Sequence, residues 1–269
     1  MNGWTEALMD SLARAPLLVG DLPEASVMDR RLLGAADSGF QLNFEQKLGH
    51  LYEDALQHLI EQSSELSLLA SHLQVIDGKG ITRGEMDFLV RDERTQSDFQ
   101  LELAVKFYLA RRTVDGWCYP GPDPRDNWLR KLERMRTHQL ELSQLPDTAA
   151  LLKKRFGITQ LSVRQLIYGR LFFPIDETEA VLPDAMLSDG LRGRWLSRSQ
   201  WSKWIAPAQE LRVIPKPLWP ALLSDKLVNG LSVVSQADLF KMTEGRCVLF
   251  LADNSLEPLF LVSDSWLEC

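Results

Sequence analysis

Two short runs decide the fold of this 269-residue chain: GEMDFLV at 84–90 and FQLELAVKF at 99–107. In the second run every odd position is apolar, and polar or small residues alternate with them. A period of two is typical of a β-strand. Glu102 and Lys106 therefore share one face of this strand. Two charges that face out of a largely apolar strand require either solvent or a function.

The residues around these runs predict a helix followed by a three-stranded meander. Apolar side chains recur at helical spacing across 44–62, and Glu53 borders that apolar stripe. The segments 75–81 and 84–91 form a predicted hairpin through an Asp-Gly turn at 77–80, because Asp-Gly supplies the positive φ of a tight turn. A polar turn then leads into the third strand, so three antiparallel strands are expected.

A helix and a strand are expected after the meander. The segment 125–144 predicts a helix, and 161–174 predicts a final core strand. Gln139 falls in the middle of the apolar stripe of that helix. A buried amide needs a hydrogen-bond partner, so Gln139 is either a core residue bonded to backbone or part of a functional cleft. We expect His138, beside it, to line the same cleft.

The order of these elements and of their charged residues resembles the PD-(D/E)XK nuclease superfamily. The core of that superfamily runs helix, three strands, helix, strand, with an acid on the second strand and an acid and a lysine on the third. Asp87 on the second strand, Lys106 on the third and Glu53 on the preceding helix match that order. The resemblance spans about residues 44–175 and implies an α/β, restriction-endonuclease-like core.

A wider pattern is similar to an uncharacterised bacterial family, domain of unknown function 1853. The residues that carry this similarity are ELAVKFYL at 102–109, Gly-Pro at 121–122 and His-Gln at 138–139. The name of that family implies no activity.

The superfamily resemblance implies metal-dependent phosphodiester chemistry on DNA or RNA. A carboxylate-bound Mg²⁺, or Mn²⁺, can supply the attacking water, neutralise the transition state and assist the leaving oxygen. Magnesium accepts one or two carboxylates plus waters, so Asp87 with Glu53 or Glu102 would suffice. Lys106 would position the water or stabilise negative charge. We expect the Asp87 and Lys106 side chains to lie within about one residue diameter of each other on neighbouring strands, near Glu53.

One position departs from the superfamily pattern. The residue two before Lys106, where a second acid is usual, is Ala104. Either the second ligand has moved to Glu53, Glu85 or Glu102, or the fold is kept for binding and hydrolysis is lost. The leading function is therefore a Mg²⁺-dependent phosphodiesterase or nuclease. The alternative is a catalytically inactive module that binds nucleic acid or a protein partner.

The net charge of −7 argues against a protein that coats nucleic acid through bulk electrostatics. Basic residues nevertheless cluster locally, since residues 125–155 hold eight basic and four acidic side chains. Arg130, Lys131 and Arg134 are the candidate contacts to nucleic acid. The alternative for this cluster is a solvated helix face.

The composition, with 45% hydrophobic and 25% charged residues, is ordinary for a globular protein. No apolar stretch approaches the roughly 20 residues that span a bilayer, and the N-terminus lacks the pattern of a secretory signal. We expect no membrane contact and a cytoplasmic location. The widely spaced Cys118, Cys247 and Cys269 are expected to be free thiols.

The chain divides into three expected segments. Residues 1–43 form an N-terminal arm, 44–175 form the core, and 176–269 form a smaller C-terminal subdomain rich in tryptophan. Tryptophans near basic residues in the last segment can stack on unpaired bases, or they can pack inside the subdomain. The oligomeric state does not follow from the sequence.

Overall fold

A computed structural model describes residues 2–179, 181–244, 246–253 and 255–268 of the chain. Within these residues the helices are α1 (Asn2–Arg14), α2 (Leu48–Glu61), α3 (Trp128–Arg134), α4 (Pro146–Phe156), α5 (Trp201–Trp204), α6 (Asp225–Asn229) and α7 (Gln236–Met242). The strands are β1 (Ser26–Val27), β2 (Leu66–Ile76), β3 (Thr82–Asp92), β4 (Ser97–Leu109), β5 (Arg111–Thr113), β6 (Gly116–Cys118), β7 (Ser162–Pro174), β8 (Arg192–Ser197), β9 (Leu211–Val213), β10 (Val233–Val234), β11 (Val248–Ala252) and β12 (Leu259–Val262).

The architecture is mixed α/β, built on one large mixed sheet. Its strands follow the order β10-β9-β11-β12-β8-β7-β4-β3-β2, and β1 pairs with β7 beside this path. The strands β2, β3 and β4 are antiparallel neighbours, whereas β4 and β7 run parallel. The strands β5 and β6 form a separate hairpin. The three-stranded antiparallel meander predicted from the sequence is confirmed.

The first strand of the meander lies upstream of its predicted position. The prediction placed it at 75–81, but β2 ends at Ile76. The Asp77 carboxylate then accepts hydrogen bonds from the backbone N–H groups of Lys79 and Ile81, both at 2.9 Å, and so closes the turn. The earlier part of β2 was not predicted from the sequence, because irregular pairing near residue 69 interrupts the alternation of its side chains between the two faces of the sheet.

The helix α2 covers one face of this sheet, as its amphipathic pattern predicted. Its buried side chains are Leu51, Tyr52, Ala55, Leu56, Leu59 and Ile60. They pack in one core with Phe88 of β3 and Leu101 of β4, where every member is screened from water. Burial of such apolar area is the main stabilising term for this layer. Glu53 is left at the border of the stripe, where it faces the sheet edge rather than bulk solvent.

The helix predicted at 125–144 is shorter and interrupted. The α-helix α3 ends at Arg134 and continues as a π-helical turn over Met135–Gln139. In this turn the Leu140 N–H donates to the Met135 carbonyl at 3.0 Å. A π turn inserts an extra residue into a helix and is often found at functional sites. The helix α4 that follows, at 146–156, was not predicted.

The strand β7 agrees with the prediction at 161–174, and its pairing with β4 requires a glycine. Gly169 lies opposite Lys106 in the parallel register. Its φ is +138°, and a Cβ atom there would lie 1.7 Å from the Lys106 carbonyl oxygen. Any side chain at this position would therefore push the two strands apart at Lys106.

The N-terminal and C-terminal segments both join the core. Leu8 and Leu12 of α1 pack in the same core as α2. The strands β8 to β12 continue the sheet beyond β7. The expected boundary at residue 175 falls between β7 and β8, which pair with each other, and the division into three segments stays a prediction.

Four tryptophans of the C-terminal segment pack inside the protein. Trp195, Trp201, Trp219 and Trp266 are buried, which favours packing over base stacking for these side chains. Trp204 is partly exposed, and the Lys203 ammonium lies 5.0 Å from its ring centre. Cys118 and Cys247 are free thiols, and Cys269 lies outside the described residues. In the described part of the chain no helix has both the length and the apolarity to cross a membrane.

Candidate functional site

The strands β3 and β4 separate at the point where the predicted acids lie. Their pairing runs from Asp92 opposite Ser97 to Phe88 opposite Leu101 and ends there. Beyond Leu101, β4 pairs with β7 alone, and before Phe88, β3 pairs with β2 alone. Asp87 and Glu102, each one residue further along, stand at this fork in the sheet.

Carboxyl groups replace the missing backbone pairing at the fork. The Leu103 backbone N–H donates to Asp87 Oδ2 at 2.8 Å. The Asp87 backbone donates a hydrogen bond to the Glu102 carboxyl. This bond favours the charged form of Glu102 and opposes the effect of burial on its pKa. Gln100 Nε2 donates to Glu102 Oε1 at 2.8 Å. Each strand thus contributes one carboxyl that contacts the backbone of the other strand.

Burial dominates the pKa values of this acid pair. Burial raises the pKa of Asp87 to about 7 and the charges on Glu53 and Glu85 raise it further, whereas a hydrogen bond from Leu103 and the nearby His72 lower it. Burial also raises the pKa of Glu102 well above its usual range, and the Asp87 charge acts in the same direction. Crowded carboxyls of this kind favour either bound protons or a bound cation.

A ring of histidine and glutamate side chains surrounds the fork. His50 Nδ1 lies 2.9 Å from Glu53 Oε2. His72 Nδ1 lies 3.4 Å from Glu85 Oε1 and 4.0 Å from Glu53 Oε2. His72 has a φ of +50°, which is uncommon for a residue other than glycine. The predicted Glu53 and Glu85 are therefore brought to Asp87, together with two histidines that sequence reasoning did not assign.

The chemistry of these donors fits a hard divalent cation. Carboxylate oxygens are the ligands that Mg²⁺ and Mn²⁺ prefer, and Mg²⁺ needs only one or two of them because it keeps several waters. Asp87 would hold the ion together with Glu102 or Glu53. Among the described residues, no group of three or more His, Cys, Asp or Glu side chains is already arranged around one metal position.

Lys106 lies at a different end of the site. Beyond the fork, residues 103–107 of β4 border a cavity of about 1310 Å³ that also contains Glu53, Gln139 and Lys131. Burial lowers the pKa of Lys106, Lys131 lowers it further, and Asp126 opposes them. None of the acids at the fork is among the groups that shift this pKa.

The expected closeness of Asp87 and Lys106 stays a prediction, because only the spacing along β4 bears on it. Asp87 lies across from Glu102, and Glu102 is four residues from Lys106 on the same strand. At about 3.3 Å per residue, four residues correspond to about 13 Å. Ala104 lies between the two charges and lines the cavity with its methyl group.

The other predicted residues divide between the cavity and the solvent. Gln139 lines the cavity, and its backbone carbonyl accepts a hydrogen bond from Gln100 Nε2 at 3.0 Å. His138 is exposed, and its Nδ1 lies 2.8 Å from Thr137 Oγ1. It is not among the residues that line the cavity, contrary to the expectation.

The basic residues predicted to contact nucleic acid also divide. Lys131 lines the cavity, whereas Arg130 and Arg134 are exposed outside it. Sequence reasoning missed three further cations that line the same cavity, Lys47, Lys216 and Arg246. They come from segments far apart in the chain, so only tertiary structure brings them together.

The fold and the fork define a mixed α/β protein in which a carboxylate cluster and a basic cavity adjoin on one sheet strand. The chain belongs to the family described as Domain of unknown function (DUF1853), whose model matches residues 13–246. Comparisons with curated proteins and with solved structures gave no match.

Proposed function

We propose that this protein is a Mg²⁺- or Mn²⁺-dependent phosphodiesterase that cleaves DNA or RNA. The observation that carries the proposal is the fork, where Asp87 and Glu102 approach each other from separating strands with the carboxylates of Glu53 and Glu85 nearby. Next to it, the cavity presents cations suited to a phosphate backbone. Metal ligands and phosphate contacts on one strand are the two requirements of this chemistry.

The order of the elements supports a restriction-endonuclease-like core of the PD-(D/E)XK type. The helix α2 precedes the meander β2-β3-β4, α3 follows it, and β7 returns parallel to β4. The acid on the second meander strand and the acid and lysine on the third occupy the expected elements. A shared arrangement of elements supports a fold, whereas function has to be argued from the site itself.

The residues of the site have separable roles in the proposed reaction. A divalent cation bound by Asp87 and Glu102 or Glu53 would polarise the phosphate and activate a water. The Leu103 N–H fixes the orientation of Asp87, because it occupies one carboxyl oxygen and leaves the other free for the ion. Lys106 and Lys131 neutralise phosphate charge in the adjoining cavity.

A second candidate function is a catalytically inactive module that binds nucleic acid or a protein partner. Two observations favour it: Ala104 stands where the superfamily usually has an acid, and Asp87 is not among the groups that shift the pKa of Lys106. A site that keeps its basic cavity but cannot complete the coordination shell of the metal would bind nucleic acid without cleaving it.

The test measures cleavage of single- and double-stranded DNA and RNA by the purified protein in Mg²⁺ or Mn²⁺. We expect Asp87→Asn and Glu102→Gln each to reduce cleavage by about a hundredfold or more, since loss of a metal ligand removes several kcal/mol of transition-state stabilisation. The matched control is Glu133→Gln, which removes an exposed carboxylate from α3. Equal activity of Asp87→Asn and the control would refute the proposed mechanism. Binding without cleavage by the native protein would establish the second candidate.

A further inference from the structure

The cavity is lined by six basic and four acidic residues, and several of the basic ones form no ion pair. Of its basic residues, Arg125 pairs with Asp123 at 2.6 Å. Lys106, Lys131, Lys216 and Arg246 form no ion pair with a carboxylate of the described residues. Asp126, which also lines the cavity, raises the pKa of Lys106 but is outweighed by burial and Lys131. Cations without ion pairs in one concave site attract an anion.

The backbone of β4 adds further polar groups to this end of the cavity. The odd-numbered residues after the fork direct their backbone groups away from β7, as the bond from Leu103 N–H to Asp87 shows. Val105 lies on the same edge, where β4 has no strand neighbour within the described residues. Its N–H therefore points towards the cavity, between the fork and Lys106. A backbone N–H is a good donor to a phosphate oxygen.

The position of Lys106 is fixed rather than adjustable. Gly169 allows the β7 backbone to approach the Lys106 carbonyl closely, so this stretch of β4 is held from one side. The partial burial of Lys106 and the nearby Lys131 both lower the pKa of Lys106. An anion between the two ammonium groups would relieve that repulsion.

We propose that Lys106 and Lys131 form a phosphate-binding subsite, separate from the acid cluster, that holds a second phosphate group of the bound strand. The assignment of that group to a nucleic-acid strand rests on the proposed function. The offset of about 13 Å along β4 places this subsite beyond the position of cleavage. Lys106 is thereby a substrate-binding residue and not the partner of Asp87 at the metal.

The test measures binding of a short, fluorescently labelled thymidine oligonucleotide in EDTA, where no cleavage takes place. We expect Lys106→Met and Lys131→Met each to weaken binding by about tenfold. Each should also reduce the slope of log K against log salt by about 0.7, the value for one lost phosphate contact on a single strand. The matched control is Arg134→Met, because Arg134 lies one turn from Lys131 on the same helical segment but outside the cavity.

Two ligands distinguish the sources of the phosphate. Inorganic phosphate should compete with the oligonucleotide for the native protein and fail to do so for Lys131→Met. An oligonucleotide with a 5′-phosphate that binds more tightly only to the native protein would assign the subsite to a terminal phosphate. Equal binding of both oligonucleotides, with the same loss in Lys131→Met, would assign it to an internal phosphodiester.

Two results would overturn the subsite. One is that Lys106→Met and Lys131→Met both bind the oligonucleotide as tightly as the native protein does. The other is a loss in Arg134→Met as large as in Lys131→Met. Because Lys131 lies on α3 and not on the central strand β4, Lys131→Met keeps the test decisive if Lys106→Met does not fold. The binding test in EDTA needs neither the metal nor cleavage, so failure of the subsite and failure of the proposed catalysis are distinguishable.

Discussion

The two ends of the site respond to burial in opposite ways. At the fork, burial and neighbouring carboxylates raise the pKa of Asp87 to about 7. In the cavity, burial and Lys131 lower the pKa of Lys106. The physical cause is the same, since low polarity and like charges both disfavour the ionised form. Each end therefore favours a bound ion of the opposite sign.

A metal ion at one end and a phosphate at the other would satisfy both. The sheet makes this arrangement possible because β4 loses one neighbour between Leu101 and Leu103. Before that point its edge is closed by β3, and after it the edge faces a cavity. The comparison teaches that a single strand can carry a cation site and an anion site when its pairing changes partway along it.

Gly169→Ala is expected to have the largest effect, and it separates the two ends. The added Cβ would meet the Lys106 carbonyl, which cannot move without breaking the pairing of β4 and β7. We expect destabilisation by about 3 kcal/mol or more, measured by urea unfolding. Gly78→Ala, in the open turn after β2, is the control because a Cβ there meets nothing within 4 Å. Comparable stability of the two variants would contradict the close approach of the strands.

Asp87→Asn tests the acid end through the pH dependence of stability. The folded-state pKa of about 7 lies above the ordinary value of 3.8. The stabilising contribution is therefore complete below about pH 4 and is lost as pH rises through 7. In EDTA we expect the variant to exceed the native protein in unfolding free energy by a few kcal/mol at pH 8.

This stability difference should shrink towards zero near pH 4. Asparagine retains an oxygen that accepts the Leu103 N–H, so the change removes mainly the charge. Glu133→Gln, on the exposed side of α3, should show no such trend. A difference that stays constant from pH 4 to pH 8 would show that Asp87 does not titrate in this range.

Divalent cations should stabilise the acid end by a smaller amount. A ligand that binds only the folded state stabilises it by about 1.4 kcal/mol at ten times its Kd. We expect Mg²⁺ or Mn²⁺ to raise the melting temperature at pH 8, and Asp87→Asn to remove this increase. Lys131→Met should retain it, because Lys131 belongs to the basic end. An unchanged increase in Asp87→Asn would place the ion elsewhere.

Ala104→Glu gives the smallest expected effect. It places a carboxylate on β4 between Glu102 of the acid end and Lys106 of the basic end. The new carboxylate would enter the cavity on the strand face shared by Glu102 and Lys106. An opposite charge favours the ionised lysine by under about 1 kcal/mol at a partly solvated site. We expect the pKa of Lys106 to rise in an NMR titration and the affinity for Mn²⁺ to increase. Ala104→Gln is the uncharged control, and an equal rise in that variant would exclude an electrostatic cause.

Local patterns in the sequence determined most of the core. The alternation at 99–107 gave β4 and the shared face of Glu102 and Lys106, and helical spacing gave α2 with Glu53 at its border. The strand at 161–174 also agrees with β7. These features depend on periodicity within a few residues, which a sequence displays directly.

Only the tertiary structure decided how the charges are grouped. The fork depends on where the β3–β4 pairing stops, and His72 reaches Glu85 through a positive φ on an irregular strand. The cavity gathers Lys216 and Arg246 from the C-terminal segment onto β4. Strand register and long-range packing set these distances, and neither leaves a local periodicity in the chain. The sequence by itself therefore determined the elements and their charged residues, and the tertiary structure divided those charges into a cation site and an anion site.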